Sequence, residues 1–164
     1  MSLPAADRVE GEGLYVVARV GDERFAFPVG HVDEAVDAPE IELVPAMPEG
    51  MLGQLAHRGR RLVAWRAGWA FRLAIADGAA ATRVALVLRD GPRRVALVVD
   101  DVMAMARIDP ADLLAVPEGA DMDGVLGGVC LLAEMGDALV SVVRVDVLAA
   151  ILAPQGTMIG GMTS

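Results

Sequence analysis

Apolar positions fall along most of the chain in short runs broken by turn signals, which is the signature of strands rather than of long helices. Leu14 to Val20 is a β-branched apolar run, Gly21-Asp22 carries a turn signal, and Arg24 to Val29 resumes the run. That pattern predicts a hairpin, with Pro28 at a strand end because it cannot donate to a ladder. Val29 to Val36 reads as a turn of helix or a bent strand, and Ile41 to Val44 as a short strand before the corner Pro45-Ala46-Met47-Pro48. Met51 to His57 and Arg61 to Trp65 predict a second hairpin around Gly59, followed by a short helix over Ala67 to Ile75 and a linker over Asp77 to Ala81. Thr82 to Leu88 and Arg93 to Val99 are the clearest strands, joined by Asp90-Gly91-Pro92, and Val102 to Ile108 continues them. Asp109 and Pro110 suit the N-cap and first position of a short helix. After a Gly/Asp-rich loop over 117–124, Val125 to Leu132 and Ala138 to Val143 form a last hairpin around Gly136-Asp137. Val145 to Leu152 then has helical apolar spacing. Residues 1–13 and 153–164 are expected to be flexible ends. Many short strands without alternating βα units imply a mainly β barrel or sandwich and argue against a Rossmann-type sheet.

The chain also repeats itself. Gly21, Arg24, Ala26, Val29 and Val32 recur in register as Gly91, Arg94, Ala96, Val99 and Val102. Leu52-Gly53-Gln54-Leu55 is echoed by Leu126-Gly127-Gly128-Val129. Each half therefore reads hairpin, bend, hairpin, helix, with the second half beginning near residue 82. Chance likeness between Ala/Val/Gly-rich hairpins is the alternative. A true repeat predicts two small antiparallel barrels packed together, with the seam between them as a binding groove.

Composition narrows the function. The chain has 164 residues, 55% hydrophobic and 23% charged, enough for one domain or two small subdomains with a stable core. The net charge is −9, and all 14 basic residues are Arg, which argues against a binder of nucleic-acid backbones. One cysteine, Cys130, excludes an internal disulfide, and two scattered histidines with it build no common zinc site. No apolar run reaches the ~18 residues of a membrane span, and the acidic start carries no signal-peptide core. The expectation is a cytoplasmic protein with no cofactor and no metal.

Catalytic signatures are thin. Neither a G-x-S-x-G elbow nor a Walker loop is present. Cys130 falls in a predicted core strand, where a buried inert thiol is expected. Asp100-Asp101 reads as a strand-end turn, since neighbours in a strand face opposite ways. Glu118, Asp121 and Asp123 read as loop material. Arg58, Arg60, Arg61, Arg66 and Arg72 lie in a stretch from Gly50 to Ala76 without Asp or Glu. Either acids from elsewhere compensate them or they recognise an acidic protein partner. Glu34 and Arg58 each adjoin a bend, so a partly buried Glu–Arg pair is one reading and two unrelated surface charges the other.

Taken in order, these segments resemble the CheW-like domain family of bacterial chemotaxis adaptors. The hairpin Tyr15 to Val29, the bend Val32-Asp33-Glu34-Ala35 and the proline-bracketed Val44 to Gly53 resemble its successive motifs. Arg58-Gly59 falls where the family has Asn-Leu-Arg-Gly, and Arg94 to Val102 resembles its Val-Gly-Leu-Val-Val-Asp-x-Val strand pair. Leu126 to Val129 with Gly136 to Val140 resembles its closing hairpin. The likeness covers about residues 14–152.

The resemblance implies two SH3-like five-stranded β-barrel subdomains packed together, with short helices and a C-terminal helix. It implies a non-catalytic adaptor that couples the cytoplasmic tip of a chemoreceptor to the regulatory domain of a CheA-type histidine kinase, with the receptor in the seam and the kinase on a barrel end. The family's functional Glu and Arg match Glu34 and Arg58. Val32, Ala35, Val36 and Met51 are candidate apolar contacts, with Gly59, Trp65 and Arg66 beside them. Three departures stand out: Ala56-His57 before the Arg, and Arg66 and Arg144 where Asp is expected. They leave open a divergent adaptor of a motility or pilus pathway. A small-ligand-binding barrel is the competing class.

Overall fold

The computed structural model describes residues 13–74, 83–121 and 123–153. Of the expected lead-in, residues 1–12 lie outside the described residues, as do the linker at 77–81 and the tail from Pro154 onward.

The hairpin turns set the framework. β1 (Leu14–Val20) and β2 (Glu23–Pro28) pair antiparallel with Val20 opposite Glu23. β6 (Val84–Asp90) and β7 (Arg93–Val99) pair with Asp90 opposite Arg93. Gly21 and Gly91 open the two turns at φ 62° and 60°, a conformation that costs glycine little. The remaining strands are β3 (Val32–Asp37), β4 (Met51–His57), β5 (Arg60–Arg66), β8 (Asp101–Arg107), β9 (Leu126–Leu132) and β10 (Ala138–Val143). The helices are α1 (Ala67–Ala70) and α2 (Val145–Leu152), with single 3-10 turns at Val29–His31, Pro110–Asp112 and Ala133–Met135.

Two five-stranded sheets result, ordered β8-β1-β2-β10-β9 and β3-β6-β7-β5-β4. Adding five to each strand number, modulo ten, converts one order into the other. The internal repeat is therefore real at the level of topology, but neither sheet is the product of one half of the chain. Each joins a hairpin of one half to three strands of the other. The physical cause is the bend after the hairpin. Pro28 ends β2, the 3-10 turn follows, and His31 Nδ1 (2.8 Å from Arg89 O) with Arg89 (2.8 Å to Gly30 O) ties the chain to the other sheet. In the second half Asp100 does the same, its N–H donating to Arg19 O at 3.0 Å and its carboxylate accepting from Gly21 N at 2.7 Å. The barrels are also not purely antiparallel, because β2 meets β10 and β5 meets β7 in parallel.

Each sheet curls around its own small core. Leu55, Leu62, Ala64, Ala85, Val87, Ala96 and Val98 fill the β3–β7 barrel. Val17, Ala26, Ala106, Cys130, Leu132 and Val140 fill the other. The opposite faces of the same strands build the largest cluster, with Phe25, Phe27, Val84, Leu86, Leu88, Val95 and Leu97 between the sheets and α2 against them. β6 and β7 are thus buried on both faces, which is why they read as unbroken apolar runs. That cluster packs the centre of the seam and leaves a cleft only at its rim.

Local readings differ from the structure in three places. Ile41 to Val44 forms no strand; Glu42 alone bridges Gln54, with both N···O distances 2.8 Å. The helix expected to reach Ile75 stops at Ala70, because Arg72 takes φ 59° and the N–H groups of Arg72 and Leu73 bond back to Trp69 O and Gly68 O. That is a Schellman closure with Arg in the usual glycine position, so no glycine signalled it. In the second repeat motif Gly53 matches Gly128, one residue beyond Gly127. A bulge between Met51 and Gly53 and another between Val142 and Val143 set this register. Both glycines let a crossing backbone approach: a Cβ would lie 2.3 Å from Glu42 O at Gly53 and 3.2 Å from Leu114 O at Gly128.

Candidate functional site

Strands β3 and β4 are the two ends of their sheet, yet the curl brings them together. His57 Nε2 lies 2.8 Å from Glu34 Oε1, and Arg58 Nη2 lies 3.9 Å from the same oxygen. The Glu34–Arg58 pairing read from the sequence is therefore present, but as a loose contact between exposed side chains rather than a partly buried pair. The close partner is His57, whose side chain is only 10% exposed and which the sequence reading passed over as a departure. Its signal was available: His57 directly precedes the turn that carries Arg58. Arg58 and Gly59 both take positive φ, 52° and 78°, as a two-residue type I′ hairpin turn requires. The turn puts Arg58 at the tip with its side chain 70% exposed.

The other candidate residues scatter over this end of the barrel. Ala35 is exposed, whereas Val32 and Val36 are half-buried, the first against the central cluster and the second against the barrel core. Met51 is half-buried opposite Trp65. Trp65 packs on the central cluster and stacks on Trp69 at 5.3 Å, so its bulk serves the core more than the surface. Trp69 in turn lies over Gly50, where any Cβ would sit 2.1 Å from the indole ring. Arg66 and Arg144, the two departures from Asp, occupy equivalent places: they are the N-caps of α1 and α2, and neither side chain makes a cap hydrogen bond.

The Arg-rich stretch is largely compensated from elsewhere. Arg58 meets Glu34, Arg61 meets Glu42, and Arg72 binds Asp123 through Nε at 2.8 Å. The Arg72 hydrogen bond holds the Asp123 carboxyl below its ordinary range. Asp121 accepts from Val125 N and Leu126 N at 3.0 and 2.9 Å and so shapes the loop, as expected of loop material. Cys130 is 1% exposed; burial raises its thiol, which suits an inert core residue.

The groove expected in the seam is present, at the rim of the central cluster. A cleft of about 330 Å³ opens where Phe71 and Leu73, just past α1, meet the outer face of β2, β9 and β10. Phe71 stacks on Phe25 at 4.0 Å, Val129 and Leu139 continue the floor, and Arg72, Asp121 and Asp123 stand at the rim. Leu139 and its cross-strand neighbour Leu131 are 54% and 59% exposed, so apolar surface runs on beyond the cleft. These residues are far apart in sequence, and no local pattern joins them.

Two intertwined SH3-like barrels with a polar hairpin tip on one and an apolar cleft beside the other define a docking scaffold. The family model of the CheW-like domain matches residues 14–152, and the chain belongs to that family of chemotaxis scaffold proteins. The crystal structure of scaffolding protein TtCheW from Thermoanaerobacter tengcongensis is similar, with a TM-score of 0.72 at 18% identity, covering 83% of this chain and 86% of that one. At that identity the likeness shows the shared fold. Among curated proteins, none matches the chain. No helix among the described residues is long and apolar enough to cross a membrane.

Proposed function

We propose that this protein is a non-catalytic adaptor that couples the cytoplasmic tip of a chemoreceptor to the regulatory domain of a CheA-type histidine kinase. The observation that carries the reading is the barrel end where His57 and Arg58 both approach one carboxylate oxygen of Glu34, Glu34 and Arg58 being the residues that match the family's functional pair. The tip shares no lining residue with the apolar cleft. One rigid body thus offers two partners two chemically different surfaces, and its mechanism is geometric: it holds both at fixed orientation. The apolar cleft suits the packed face of a receptor helix, and the charged tip suits a kinase surface. The protein would work in the cytoplasm, held at membrane arrays through its partners.

The test is titration calorimetry with the kinase regulatory domain and with a receptor-tip fragment, comparing wild type and Arg58→Glu. Exposed interfacial charges of this kind are worth about tenfold in affinity when reversed. A loss of that order for one partner, with the other unchanged, is the expected result. Unchanged affinity for both partners, with the variant folded, would remove Arg58 from the interface and the proposal with it.

A further inference from the structure

Because the two barrels share one strand order, each shows what the other lacks. At the mouth of the β3–β7 barrel, Arg89 and Arg94 face each other across the β6–β7 pairing. The bulged Asp33 lies between them, Oδ1 3.1 Å from Arg89 Nε and Oδ2 2.9 Å from Arg94 Nε, with its side chain only 13% exposed. The repeat puts Arg19 and Arg24 at the same two positions of the β1–β2 pairing, and β8 is bulged at the same point as β3. The residue in that bulge is Met103. Arg19 turns instead to Asp100 Oδ2 at 3.4 Å and Gly21 O at 3.2 Å. No hydrogen bond or ion pair engages the Arg24 side chain among the described residues, and its Nε is buried without an acceptor.

A buried donor without an acceptor is costly and rare, so an outside acceptor that displaces the cover of Arg24 Nε is favoured by the bond it completes. The surroundings say what kind. β8 is the outermost strand of its sheet, and Met103 and Met105 on it are 38% and 57% exposed. An extended segment lying along β8 would set apolar side chains on Met103 and Met105, with a carboxylate toward the guanidinium fork of Arg24, whose register partner Arg19 lies opposite Asp101. We propose that Arg24 is a docking site for a carboxylate side chain of a partner protein, within an extended segment whose apolar side chains pack on Met103 and Met105 along β8. The partner fills from outside the slot that Asp33 fills from within the other barrel. The assignment is independent of the adaptor reading, since neither kinase nor receptor enters its test.

The test follows the Arg24 Nε–H signal by NMR in the full-length ¹⁵N-labelled chain, assigned by its loss in Arg24→Lys. The probes are the blocked peptide acetyl-Val-Glu-Val-amide, its Gln counterpart and inorganic phosphate. A progressive shift with the Glu peptide is expected, with binding of the Gln peptide about tenfold weaker, the loss of one charge-assisted hydrogen bond. Met103→Asp, which provides the carboxylate internally, abolishes the response and raises the thermal midpoint. If that variant does not fold, Arg24→Gln serves, removing peptide binding while leaving the amide spectrum intact. No response to the Glu peptide, an equal response to the Gln peptide, a response to phosphate alone, or a response that survives Met103→Asp would each overturn the proposal.

Discussion

In the barrel of β3 to β7, Asp33 occupies the mouth between two arginines and Glu34 bonds His57 across the two end strands. In the barrel of β1, β2 and β8 to β10, the repeat puts Met103 at the place of Asp33, Ala104 at that of Glu34 and Leu132 at that of His57. The same topology is thus finished with charge in one copy and with apolar side chains in the other. The interiors differ as well. The first barrel core holds no ionisable group, whereas the second holds Cys130 with Tyr15 packed against it, both raised above their ordinary values chiefly by burial. A duplicated fold constrains backbone hydrogen bonding and the shared core; it leaves mouths and edges free to diverge, since they touch solvent or partners.

The largest effects should come from the core that the copies share. Phe27 and Leu97 are equivalent, fully buried positions in the central cluster. Phe27→Ala should cost about 3–5 kcal/mol and Leu97→Ala about 2–5 kcal/mol, each in one cooperative urea transition. Two separate transitions would show that the barrels unfold independently and would break the intertwined picture.

The equivalent glycines come next. Gly53→Ala forces a Cβ against a backbone carbonyl at φ 146°, and should cost about 3 kcal/mol. Gly128→Ala meets its nearest backbone carbonyl at 3.2 Å and is strained chiefly by φ 159°, so it should cost less, about 2 kcal/mol. Equal losses would mean that the two crossings are equally tight.

Asp33→Ala leaves Arg89 and Arg94 facing each other without their carboxylate. A loss of about 1–2 kcal/mol in chemical denaturation is expected, reduced from a fully buried pair because the arginines are partly exposed. A neutral result would remove the contrast between the two mouths. Arg144→Asp works in the other direction, giving α2 the cap that it lacks and a gain of about 1 kcal/mol. The same change at Arg66 should yield less, because α1 has only four residues.

The smallest effect separates the interiors by pH. The folded Cys130 thiol is raised above its unfolded value, so its contribution is whole below the unfolded pKa and is lost as pH rises through the folded value. Thermal midpoints should therefore fall more steeply in alkali for wild type than for Cys130→Ala. Identical slopes would count against a Cys130 contribution.

The hairpins were legible in the residues because their causes are local. Short apolar runs mark the strands, and Gly21, Gly59, Gly91 and Gly136 mark the turns within a few residues of the strands they join. Asp109 announced its own cap, and it does accept from Ala111 N at 2.9 Å. The repeat was legible too, apart from the one-residue slip that a bulge introduces at Gly127 and Gly128. α1 was overread because its end depends on Arg72 adopting a left-handed conformation, and Arg72 is held by Asp123, 51 residues away. Of the candidate site, Glu34 and Arg58 were found, while His57 was passed over because its role needs the sheet to curl.

By itself, then, the sequence determined the strands, their hairpin registers and the duplicated order, since side-chain periodicity and turn chemistry act over a few residues. Only the tertiary structure decided which hairpin joins which three strands, because that choice rests on contacts such as His31 to Arg89 and Asp100 to Gly21 between distant segments. It also decided that Glu34 faces His57, that Phe71 roofs Phe25, and that Arg24 stands without the carboxylate its counterpart has. Those are properties of closure and packing, which no short stretch of chain carries.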